Sequence, residues 1–203
     1  MLHMPGSSRK ERAIDLKGYR KERTIDVSGE TSLLLTAGSF VLFFVSAAAV
    51  LLVYTLVTGT DSFTFTVSGP TDLLPILALI LLVLLVGVLH EGLHALAYLL
   101  LHRRPVFGRG RKSLLLYCSC SADGAYTRDD SVFVLTLPFV LITALGLGAI
   151  VLAPAWGIAA LVLVPFNAAG SAAGLHAAAA LLRSPAESLV LEEGGALTLF
   201  VPE

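Results

Sequence analysis

Three stretches of the chain are nearly free of charge. Residues 31–60 contain no Asp, Glu, Lys or Arg, residues 73–101 contain only Glu91, and residues 131–182 contain none, with His176 as their one histidine. A helix needs about 20 apolar residues to cross a bilayer, so each of the first two runs fits one crossing. The third is too long for one. It is interrupted by Pro154 and Gly157 in "LAPAWGIA", where Trp156 suits a membrane interface. Four spans are expected, at about 33–57, 73–101, 132–153 and 157–182. Of the 203 residues, 56% are hydrophobic and 14% charged, far more apolar than a soluble domain of this size requires.

The few cations set the orientation. Seven of the 14 Lys and Arg residues lie in the first 30 positions, six lie between Arg103 and Arg128, and Arg183 follows the last run. The other two loops have none. By the positive-inside rule, both termini and the middle loop are expected in the cytoplasm of a multi-pass protein of the plasma (inner) membrane. No cleavable signal peptide is expected, because the first apolar run follows a long charged segment and is long enough to span.

The organisation read from this pattern is a basic cytoplasmic tail (1–31), a four-helix membrane domain (32–183) and a cytoplasmic C-terminal tail (184–203). The fold class is an all-α polytopic membrane protein with a short cytoplasmic β-hairpin after the second helix. The tail holds a near-repeat, "RKERAID" (9–15) and "RKERTID" (20–26), read as solvated and attracted to anionic lipid. The outer loop "TGTDSFTFTVSGPT" (58–71) could form a small strand pair. In the middle loop (103–130), "SLLLYCSCS" has strand-like residues and "ADGAY" offers an Asp-Gly turn. Cys118 and Cys120 lie there, where a structural disulfide is not expected and a lone C-x-C is a weak metal signal. In the C-terminal tail, two apolar runs flank "EEGG" and suggest a second hairpin.

Inside the second span stand His90, Glu91 and His94. Titratable groups cost a few kcal/mol each in a bilayer, so they are seldom idle there. On a helix, residues i and i+4 share a face, so His90 and His94 can hold one metal ion. Glu91 lies beside that face. This is the H-E-x-x-H arrangement of two zinc ligands and a general base. Zinc lowers the pKa of a bound water to about 7 and polarises a carbonyl, while the glutamate takes the proton. Gly87 and Gly92 would let another helix approach. A catalytic zinc usually has three protein ligands. The fourth span, rich in small residues, offers His176 and Asn167. Pro165 is expected to kink that span. Asn167 and His176 are nine positions apart and point in opposite directions on an unbroken helix. His176 is the first candidate for third ligand, and Asn167 is expected to meet substrate backbone or a group on the second span. Asp129 in the middle loop is a further candidate.

From Val86 to Val201 the chain resembles the zincin-like membrane metallopeptidases related to the site-2 proteases. The likeness rests on "HEGLHALAY" within a span, then "YCSC", "TLPFVL" and "NAAGSAAGLHAAAALLRSP". It implies zinc as cofactor, His90 and His94 as its ligands, Glu91 as catalytic base, and membrane-embedded substrates. Relatives carry a Gly-Asp pair in the last span whose aspartate completes the site. Here "SAAGLH" places Gly174 at that position. The function expected is an integral-membrane zinc metalloprotease that hydrolyses peptide bonds of membrane-associated substrates near the cytoplasmic side. The hairpin after His102 would present the substrate as an added strand. The alternative is a catalytically weak or inactive pseudoprotease, an adaptor that binds membrane-protein clients. The partners expected are the lipid bilayer and a membrane-protein or peptide substrate, and no nucleic acid.

Overall fold

A computed structural model of the chain describes residues 16–26, 33–62, 69, 73–112, 115–122, 124–193 and 196–203, excepting the side chains at 26, 108–112, 115–119 and 193. The elements run β1 (Tyr19–Asp26), α1 (Leu33–Thr58), α2 (Leu74–Leu100), β2 (Pro105–Lys112), β3 (Leu115–Ala122), β4 (Ala125–Thr127), α3 (Arg128–Leu152), a 3-10 turn (Pro154–Trp156), α4 (Gly157–Gly170), α5 (Ala172–Leu181), β5 (Leu189–Glu193) and β6 (Ala196–Pro202). Helices α1, α2 and α3 are each long and apolar enough to cross a membrane, and the α4–α5 pair adds a fourth if its two pieces make one span. Their outward faces carry Phe40, Phe44, Leu84, Val88 and Leu145, all exposed, which suits contact with lipid.

The fourth span is bent by 50° between Gly170 and Ala172. The proline expected to kink this span, Pro165, lies inside continuous α4 and is fully buried. The break falls at the Gly170–Ser171 pair, a common kink site. There the Asn167 carbonyl accepts from both the Ser171 N–H at 2.9 Å and the Ser171 hydroxyl at 2.8 Å, a back-bonding that often bends helices. Close packing comes from α3 and α4, where a Cβ on Gly146 would collide with Val164. Gly87 and Gly92 do not serve this purpose. Both are exposed with nothing within 4 Å of a built Cβ, so they face away from the bundle.

The all-α expectation needs correction at one end of the bundle. A four-stranded antiparallel sheet, ordered β1-β6-β5-β4, lies there beside the two-stranded β2-β3 hairpin. The second "RKER" copy is a paired strand, with Ile25 opposite Leu197. The first copy lies outside the described residues, as does most of the expected outer strand pair. In β1 a bulge between Lys21 and Arg23 shifts the register, setting Arg23 opposite Leu199, a re-aiming typical of bulges. The Arg23 guanidinium then donates to the Ala180 carbonyl at 2.7 Å and caps the end of α5. Ala177, Leu181, Val190, Leu197, Leu199 and Val201 bury one face of the sheet against α5.

Both expected hairpins form, but the Asp-Gly turn closes neither. In β2-β3 the last described pair before the return is Lys112 with Leu115, while Gly124, at φ +103°, lies between the hairpin and β4. Because β1, β4, β5 and β6 share one sheet, both terminal segments and the end of the middle loop lie on the same side of the helices.

Candidate metal centre

His90 and His94 lie one turn apart on α2, with ring centroids 4.8 Å apart and ring planes at 78°. Their Nε2 atoms are 3.2 Å apart. Each Nδ1 is tied off behind. That of His90 lies 2.9 Å from Asn167 Oδ1, and that of His94 lies 2.9 Å from the Val134 carbonyl. The Asn167 amide is oriented by its other end, where Nδ2 donates to the Pro138 carbonyl at 3.0 Å. A carbonyl can only accept, so Nδ2 must face Pro138 and Oδ1 must face His90. Both imidazoles are therefore held with hydrogen on Nδ1, and both bare Nε2 lone pairs converge.

This donor set fits zinc. Two imidazoles on a tetrahedral zinc, with Zn–N of about 2.0–2.1 Å, stand about 3.3 Å apart. Facing lone pairs at 3.2 Å repel one another without a cation to share. Zinc-ligating histidines ordinarily donate the other ring N–H to a carbonyl or carboxylate, as His90 and His94 do here.

Glu91 points to the side, where the Cys120 backbone N–H of β3 hydrogen-bonds its carboxylate. Tyr98, one turn beyond His94, donates to the Glu192 carboxylate of β5 at 2.9 Å. A cleft lined by Tyr98, Tyr126, Val134, Leu135, Glu192 and Leu197 lies between α2, α3 and the sheet. Burial pushes the Glu192 carboxyl above its ordinary range, and the Tyr98 hydroxyl pulls it partly back. Cys120 is buried, and its thiol is pushed up to about 11 by burial and by the nearby Glu91 and Glu192 carboxylates. That suits a packed side chain rather than a thiolate ligand.

The third-ligand candidates fare differently. His176 is exposed on α5, while Asn167, nine positions earlier, faces inward. Asp129 is exposed and paired with Arg128 at 2.8 Å, in the first turn of α3. Asn167 is fully buried and meets the second span, as expected, through His90. A Cβ on Gly174 would touch the Leu135 carbonyl at 3.0 Å, so that position is filled by packing against α3. Among the described residues, no three His, Cys, Asp or Glu side chains are grouped so that they could hold a metal ion together. Sequence reasoning missed Val134 and Pro138. A backbone acceptor has no residue signature, but a proline four positions after Val134 was there to be noticed.

No curated protein and no solved structure matches the chain. The sequence model of a family described as putative zincin peptidases matches residues 82–189. That interval contains His90, Glu91, His94, Val134, Pro138 and Asn167. With just over half of its length matched, the chain belongs to that family.

Proposed function

We propose that the protein is an integral-membrane zinc metallopeptidase that cuts peptide bonds of membrane-associated substrates near the cytoplasmic side, with His90 and His94 holding the metal. The observation that carries this reading is the pair of bare Nε2 atoms 3.2 Å apart, each imidazole tied off at Nδ1. Zinc there would polarise the scissile carbonyl and acidify the attacking water. Glu91, adjacent in sequence and beside the same face, takes the proton and returns it to the leaving amine. An extended substrate would add to the edge of β3, the strand whose Cys120 N–H holds Glu91, since strand addition supplies main-chain bonds in register. The cytoplasmic assignment rests on the Lys and Arg distribution.

The test is hydrolysis of a quenched-fluorophore casein by the detergent-purified chain. Glu91→Gln should lower the rate at least about 100-fold, the ordinary worth of a general base, while zinc content stays that of wild type. Glu91→Gln cleaving at the wild-type rate would remove Glu91 from the mechanism.

A further inference from the structure

Pro138 stands inside α3, fully buried, ten residues into the helix. A proline has no N–H, so it leaves the carbonyl four residues earlier without its helical donor. That carbonyl belongs to Val134, and it is the one that holds His94 Nδ1 at 2.9 Å. The carbonyl of Pro138 itself receives Asn167 Nδ2 at 3.0 Å, and Asn167 Oδ1 in turn meets His90 Nδ1 at 2.9 Å. One proline thus stands behind both histidines. It frees the acceptor for one and anchors the amide that orients the other.

We propose that Pro138 and Asn167 are positioning residues that lock His90 and His94 in the Nδ1–H tautomer, with both Nε2 atoms presented to one cation. Residue 138 cannot donate, so Val134 O has no helical donor and His94 is its partner. Asn167 can accept from His90 only because its amide end is engaged by Pro138. Neither residue touches the metal or the substrate. Restoring an N–H at 138 would give Val134 O a helical donor that competes with His94, weakening the hold on its Nδ1–H tautomer. The zinc-binding part of this proposal rests on the peptidase reading, but the tautomer part does not.

The experiment therefore uses two readouts on the full chain in detergent. Imidazole nitrogen shifts of ¹⁵N-histidine-labelled, zinc-free protein report the tautomers. Competition with a chelator reports zinc affinity. In wild type both rings should be Nδ1–H. In Pro138→Ala, His94 should redistribute toward Nε2–H and zinc affinity should fall about 10–100-fold, the usual cost of losing a partner behind a ligating histidine. Asn167→Leu should do the same to His90. Asn167→Asp keeps an acceptor at that ring and should preserve its tautomer. If Asn167→Leu fails to fold, Pro138→Ala and Asn167→Asp still decide the matter. A purely structural role would lower thermal stability without moving either tautomer. His94 remaining wholly Nδ1–H in Pro138→Ala would overturn the proposal, whatever zinc does. A wild type that binds no zinc, with a tautomer that still responds to Pro138→Ala, would uphold the positioning role and sink the peptidase reading alone.

Discussion

A carboxylate held under a sheet needs a donor, and Glu192 has one in the Tyr98 hydroxyl at 2.9 Å. Burial nevertheless raises its pKa above the ordinary value. A raised folded-state pKa means that ionisation is easier in the unfolded chain. Stability is therefore lost as the pH rises through the ordinary carboxyl range, about 4.3, toward the folded value. Glu192→Gln keeps an acceptor for Tyr98 and removes the charge. It should unfold at a higher temperature than wild type at pH 8, with the gap closing as the pH falls toward 4.5. A gap independent of pH would assign the effect to packing instead. At this scale the sequence singled out His90, Glu91, His94 and Asn167 by residue type and spacing, of which the structure brings His90, His94 and Asn167 together. It could not disclose Val134, because the acting atom is a backbone carbonyl. It named His176 by residue type, and that side chain is exposed on α5.

The helices touch where small residues allow it. Gly146 faces Val164, which is 1% exposed and β-branched, so it has little freedom to move. Gly146→Val should destabilise the detergent-solubilised protein by about 1–3 kcal/mol, the usual cost of overpacking. Gly148→Ala, with nothing within 4 Å of its new Cβ, should be neutral or slightly stabilising through helix propensity. Thermal melts of the pair check this. Equal losses in both would mean that the α3–α4 approach is not set at Gly146. The long spans were legible because uninterrupted apolar runs have few other solutions. The break at Ser171 was not. Pro165 drew attention as the stronger helix breaker, yet it lies inside continuous α4, and the 50° bend falls at the quieter Gly-Ser pair. Strand β1 was hidden by "RKER", whose charges read as solvated tail. Its pairing comes from β6, a partner more than 170 residues away in sequence, and local pattern carries no trace of it.

The whole molecule is closed at one end by a sheet that gathers the N-terminal segment, the middle loop and the C-terminal hairpin. That arrangement agrees with the distribution of Lys and Arg, which assigns the same three segments to one side. Fluorescent-protein fusions at both ends should be bright in cells. Single cysteines placed in the 59–72 loop, in a Cys118→Ser, Cys120→Ser background, should react with a membrane-impermeant maleimide added from outside. Labelling of introduced cysteines near the termini instead would invert the orientation. The site lies on α2 toward this closed end, with its two histidines braced by α3 and α4 and its glutamate by β3. The account stands or falls on whether those two imidazoles hold a metal. The most direct measurement is the zinc content of the detergent-purified full chain, as wild type, His90→Ala and His94→Ala. Close to one zinc per chain in wild type, lost in both variants, is the predicted result. Wild type that takes up no zinc even after incubation with the metal, or variants that retain it in full, would contradict the account.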